Sequence, residues 1–208
     1  MKEEIRQGFG YAFGAAGNRV SGGCVMYRKV LVAYASLCGS TAEIAEAAGH
    51  VLAAQGADVR VCDVADITNL DEYDAFLLGT AIRMGRPIKP MRQFIRRHAE
   101  QIASKPNAVF SVGATPKERT PRAISEASHF VLPVVSAVAP LSVALFAGKI
   151  DPSQLPLPWK ALIEHADPGS RLSAGDWRDW DAIDAWVEEI APQLLAGGWD
   201  ARGMMSPS

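Results

Sequence analysis

Six consecutive residues, Ser36-Leu37-Cys38-Gly39-Ser40-Thr41, carry the densest chemistry in the chain. They follow a short apolar run and lead straight into helix-forming sequence. Hydroxyls at Ser36, Ser40 and Thr41 can each donate to a phosphate oxygen, and Gly39 lets the backbone turn tightly against an anion. A helix opening here adds unpaired N–H groups and the positive end of its dipole. Such a turn holds a monophosphate ester with no lysine or arginine of its own. There is no Gly-Lys-Ser/Thr ending, which excludes a triphosphate loop, and no Gly-x-Gly-x-x-Gly for a dinucleotide. A plainer reading is a capping box, with Ser40 as cap and Glu43 three residues on. A cap needs one hydroxyl where this turn offers three, so phosphate binding is the favoured reading. A thiol at a helix start can be acidified, yet Cys38 has no cysteine neighbour and a phosphate would repel its thiolate. It is given no catalytic role.

The surrounding elements must place that turn. Lys29 to Ala35 is a β-branched apolar run that suits a strand buried on both faces. Residues 41–55 form a helix with Ile44, Ala48, Val51 and Leu52 on one face and Gly56 as its stop. Strands are expected at 59–63, 74–80, 108–112 and 138–146, and helices at 88–103, 121–132 and 180–195. The helix between the second and third strands is short or absent. Alternating strands and helices imply a parallel sheet covered on both faces. Right-handed crossovers leave few topologies, and a five-stranded order 2-1-3-4-5 fits. Residues 149–175, with Pro152, Pro156, Pro158 and Pro168, read as an irregular insertion in a domain spanning 29–196. Residues 1–28 and 197–208 read as flexible extensions.

Bulk properties narrow the partners. The 208 residues suit one domain, and 21 Lys+Arg against 23 Asp+Glu leave a formal net charge of -2. That balance gives no general attraction to nucleic acid or to an anionic membrane. Arg92, Arg96, Arg97 and His98 read as a solvated helix face. Cys24, Cys38 and Cys62 form no disulfide framework and no metal-ligand spacing, which suits reduced thiols in the cytoplasm. No apolar run is long enough to span a bilayer. No metal is expected.

These motifs resemble the flavodoxin superfamily, whose phosphate loop reads T/S-x-T-G-x-T. Ser36, Gly39 and Thr41 match it, and Cys38 stands where a threonine is usual. The chain is more closely similar to the flavodoxin-type, menaquinone-dependent protoporphyrinogen oxidases. The matching stretches are 39–45 (GSTAEIA), 79–85 (GTAIRMG), 94–98 (FIRRH), 110–112 (FSV), 118–121 (ERTP) and 176–177 (DW).

The resemblance implies a three-layer flavodoxin-like sandwich with FMN at the carboxyl edge of the sheet. Ser36 through Thr41 would hold its phosphate. Thr80, Ala81, Ile82, Arg83, Met84 and Gly85 would lie along one side of the isoalloxazine, and Ser111, Val112, Gly113, Ala114 and Arg119 along the other. Arg83 is the residue best suited to favour reduced, anionic flavin, and Arg119 could do similar work or meet an acidic substrate. Two departures stand out. Met84 replaces an aromatic, with no other aromatic in either loop, and the 149–175 insertion is Pro-rich and mixed in charge. In that insertion Trp159, Leu162 and Ile163 read as a small patch packed on the body.

Three functions stay open at this point. The first is an FMN oxidoreductase acting on protoporphyrinogen or a similar donor with a quinone acceptor. The second is an electron carrier, which the small net charge disfavours. The third is a binding or regulatory domain that has lost FMN. The expected partners are a quinone or another small redox molecule, with at most peripheral contact with the inner membrane. Homodimerisation is left open.

Overall fold

The computed structural model describes residues 28–154, 165, 170 and 173–196. All but Arg28 of the extension expected at 1–28, the one expected at 197–208, and most of the 149–175 insertion with Trp159, Leu162 and Ile163, lie outside the described residues. Five long parallel strands form the sheet: β1 (Lys29–Ala35), β2 (Asp58–Asp63), β3 (Ala75–Arg83), β5 (Asn107–Gly113) and β6 (Val143–Ala147). Their spatial order is β2-β1-β3-β5-β6. Counting only these five, that is the 2-1-3-4-5 order expected. The short β4 (Arg86–Pro87) pairs antiparallel with the end of β3. A separate two-stranded ribbon joins β7 (Lys149–Ile150) to β8 (Gly175–Asp176).

Period-two alternation divides the core into two layers. Val30, Val32, Leu77, Phe110 and Phe146 face α1 (Ser40–Ala54) and α4 (Trp180–Leu195), meeting Ile44, Leu52, Ile183 and Ile190. Leu31, Ala33, Phe76, Leu78 and Val109 face α2 (Lys89–Ala103) and α3 (Pro121–Val138), meeting Met91, Phe94, Ile102 and Val134. One helix pair on each face makes the three-layer sandwich. Gly79 in β3 is required by close approach, because a Cβ there would stand 2.2 Å from Phe110 Cζ. Arg28 Nη2 donates to Ala196 O at 2.8 Å, tying together the two ends of the described body.

Three expected boundaries are corrected. The helix read as 121–132 runs on to Val138, and the strand read from Val138 begins at Val143. Pro133 lies inside α3, and the buried stripe Val131, Val134 and Val138 carries the helix through it. The stop comes at Ala139, left-handed at φ 45, with Pro140 behind it. The third strand also exceeds its expected end at Thr80, continuing to Arg83 because β4 folds back on it. Arg92, Arg96 and Arg97 are exposed on α2, and His98 tilts against Phe94 with ring centroids 4.9 Å apart.

Candidate functional site

All five long strands point their carboxyl ends at one edge, where register aligns Ala35 with Thr80 and Thr80 with Ser111. Thr80 and Ser111 are both buried. The turn after β1 opens above this row. Gly39 is the N-cap of α1 at φ 89, a left-handed conformation that favours glycine. Its N–H donates to Ser36 Oγ at 3.1 Å, which closes the turn on itself. No side chain caps α1. Ser40 and Thr41 are buried beside the uncapped helix start.

The capping-box reading therefore fails. Gly39, not Ser40, is the cap, and Glu43 does not reach back to an N-terminal amide. Glu43 instead forms an ion pair with Arg178. An uncapped helix end carrying first-turn N–H groups and two buried hydroxyls suits an anionic oxygen cluster, so the donor set fits a phosphate ester.

Beside the turn stands the β3–β4 hairpin. Arg83 pairs with Arg86 in register, and the two-residue turn Met84-Gly85 has φ 51 and φ 73, both positive as a type I′ turn demands. Met84 is 80% exposed at its tip. Behind Gly85 lies the Phe130 ring of α3, 3.1 Å from where a Cβ would sit. The hairpin itself thus has no aromatic, but an aromatic supports it from below. Burial raises the Cys38 thiol above its ordinary value, opposed by the positive charge of Arg83. The Arg83 charge is thus felt at Cys38, in the turn before α1. A thiol shifted in this direction is not an acidified one.

On the other side, Gly113 meets Ile82 across the strand ends, where a Cβ would stand 3.4 Å from Ile82 Cβ. A 3-10 turn, Thr115–Glu118, follows. Within it Lys117 Nζ lies 4.2 Å from the Trp177 ring centroid and donates to Ser173 Oγ at 3.2 Å. Burial lowers its pKa. Arg119 extends away from the strand ends and pairs with Asp179 at 2.9 Å.

The structure thus brings together Ser36 through Thr41, Thr80 through Gly85, and Ser111 through Ala114 at one edge, with Arg119 turned toward α4. Two residues were missed from sequence. Arg178 donates through Nε and Nη2 to Asp176 at 2.8 and 2.6 Å while it holds Glu43. Lys117 packs on Trp177. The Asp176-Trp177 pair was the available signal, since both partners touch or adjoin it. Two hollows lie elsewhere, one of about 290 Å³ between α1 and β2 and one of about 460 Å³ on α3. Among the described residues no cluster of His, Cys, Asp or Glu is arranged to hold a metal, and no helix is long and apolar enough to cross a membrane.

Known proteins fit this geometry. Residues 31–167 match the flavodoxin domain family. Protoporphyrinogen IX dehydrogenase [quinone] of Escherichia coli is 30% identical over 179 residues, covering 78% of this chain and 94% of that protein. The enzyme of the same name from Leishmania major is 32% identical over 95 residues, covering 43% of this chain and 40% of its own. Among solved structures, a flavodoxin variant from Pseudomonas aeruginosa superposes at TM-score 0.50 with 18% identity, over 81% of this chain and 99% of that one. An NADH:FMN oxidoreductase in apo form superposes at 0.53 with 13% identity, over 87% and 97%. These two likenesses speak to fold, and the family match and the Escherichia coli relative speak to kinship and to an oxidoreductase of flavin type. The chain belongs to the flavodoxin domain family, and within it is similar to the protoporphyrinogen IX dehydrogenases.

Proposed function

We propose that this protein is an FMN-dependent oxidoreductase that takes electrons from a protoporphyrinogen-like donor and delivers them to a quinone. The observation that carries the reading is the uncapped start of α1, held open by Gly39 at φ 89 with Ser40 and Thr41 buried beside it. The names of the curated relatives supply the donor and acceptor classes. Bound FMN would supply the redox chemistry, and the protein supplies binding, orientation and charge.

In that division the amides of the first α1 turn and the hydroxyls of Ser40 and Thr41 would bind the phosphate. Ser36 keeps Gly39 in its turn by accepting its N–H. Arg83 places a positive charge at the same edge, which favours an anionic reduced ring. The hairpin from Thr80 to Gly85 and the segment from Ser111 to Ala114 would flank the ring. Met84 offers a polarisable thioether where stacking is needed. A quinone acceptor is membrane-borne, so this reading includes transient contact with the inner membrane from the cytoplasmic side.

The test is anaerobic turnover. The purified protein should be yellow, should release FMN on denaturation, and should be reduced by protoporphyrinogen and reoxidised by a menaquinone analogue. Failure to take up FMN would overturn the reading. Bleaching by NADH without any response to the porphyrinogen would redirect it to a nicotinamide-driven reductase.

A further inference from the structure

We propose that Arg178 is a positioning residue for the flavin phosphate, engaging Glu43 so that this carboxylate does not oppose a bound dianion. The proposal rests on the phosphate-binding reading above.

Glu43 lies in the first turn of α1, and its Oε1 is 3.6 Å from where a Cβ on Gly39 would stand. A carboxylate there favours the helix dipole but repels a second anion at the same helix start. Because Glu43 makes no cap hydrogen bond, the helix amides do not absorb its charge. Arg178 does. Its Nη1 pairs with Glu43 Oε2 across 135 residues of sequence. Asp176 fixes the opposite side of the fork through Nε and Nη2. Trp180 lies against the guanidinium, with Arg178 Cζ 4.6 Å from the ring centroid. The Arg178 side chain is only 7% exposed while Glu43 is 53% exposed, so the guanidinium is held rigidly and water screens the pair from the Glu43 side alone. The fork is planar, bidentate on Asp176 and left with one free edge, and that edge meets Glu43.

The chain thus supplies a cation to a phosphate turn whose own residues include none. It comes from the segment that returns after β8, and it acts through Glu43 rather than on the ligand.

Dissociation constants of FMN and of riboflavin, which lacks the phosphate, separate this role from a structural one. They are measured by flavin fluorescence quenching for wild type, Arg178→Gln, Glu43→Gln and the double variant. The expected result is a roughly tenfold loss of FMN affinity in Arg178→Gln, the scale of one like charge nearby that water partly screens, with riboflavin within about twofold. Glu43→Gln should bind FMN at least as well as wild type, and the double variant should regain most of the loss. Arg178→Met, which keeps a long unbranched side chain without the charge, replaces Arg178→Gln if the latter does not fold. Equal weakening of both flavins, or a double variant as weak as the Arg178 variant, overturns the proposal and leaves the phosphate reading standing. A wild type that binds both flavins alike removes the phosphate reading and the proposal with it.

Discussion

Arg119 Nη2 donates to Asp179 Oδ2 at 2.9 Å, while the other oxygen of the same carboxylate accepts the Ala182 N–H at 3.1 Å. Asp179 is therefore both the N-cap of α4 and the anchor of the turn that follows β5. The ion pair is exposed, with Arg119 at 74%, and such pairs contribute about 0–1 kcal/mol. Loss of the cap costs about 1 kcal/mol by itself. Asp179→Ala should therefore destabilise the fold more than Arg119→Ala, by urea denaturation. Equal effects would mean that the ion pair, not the cap, is the larger contribution.

Thr41→Ala and Ser36→Ala should each weaken FMN binding by about 1–2 kcal/mol, the scale of a hydrogen bond to a charged group. They act differently. Thr41 is buried beside the helix start, whereas Ser36 holds the Gly39 N–H. Isothermal titration should find Ser36→Ala carrying the larger entropic penalty, since it loosens the turn before the ligand arrives. Unchanged affinity in both variants would contradict the assignment of the turn.

Gly79→Ala should destabilise the domain by roughly 1–3 kcal/mol, because its Cβ collides with Phe110. Phe110 cannot easily yield, since it packs on Phe146 and edge-on to Trp186 with centroids 6.1 and 6.3 Å away. Phe110→Leu should relieve part of the clash in the double variant. Additive losses on chemical denaturation would argue against direct contact.

Acid should loosen the segment beside the start of α1. Hydrogen bonds from the Arg178 side chain, its largest cause, hold the Asp176 carboxyl below its ordinary 3.8. A depressed folded-state pKa contributes stability that is present above the unfolded value and lost as pH falls through the folded one. The window is therefore below about pH 4. Asp176→Asn should flatten the acid limb of a thermal-stability profile there and leave its neutral region parallel. An unchanged acid limb would place the acid sensitivity elsewhere.

Much of the fold was legible because β1, β3 and β5 are two-sided apolar runs and each helix carries one buried stripe. The tight turn between β1 and α1 was legible from Gly39 and the residues around it. Three features were not legible, each for a physical reason. Pro133 signals a helix end locally, yet the Val131, Val134 and Val138 stripe pays back that loss by burial. Glu43 has the spacing of a capping box, but a guanidinium 135 residues away competes for it. The β3–β4 hairpin was hidden because Met84, at φ 51, is not a residue that announces a type I′ turn.

The most direct check is the affinity of the untagged wild-type apoprotein for FMN and for riboflavin, by equilibrium dialysis at one ionic strength. A turn that neutralises a phosphate dianion predicts at least about tenfold preference for FMN, or roughly 1.4 kcal/mol. Inorganic phosphate should compete with FMN and leave riboflavin binding unaffected. Equal affinities, with no effect of phosphate, would contradict a phosphate site at the start of α1.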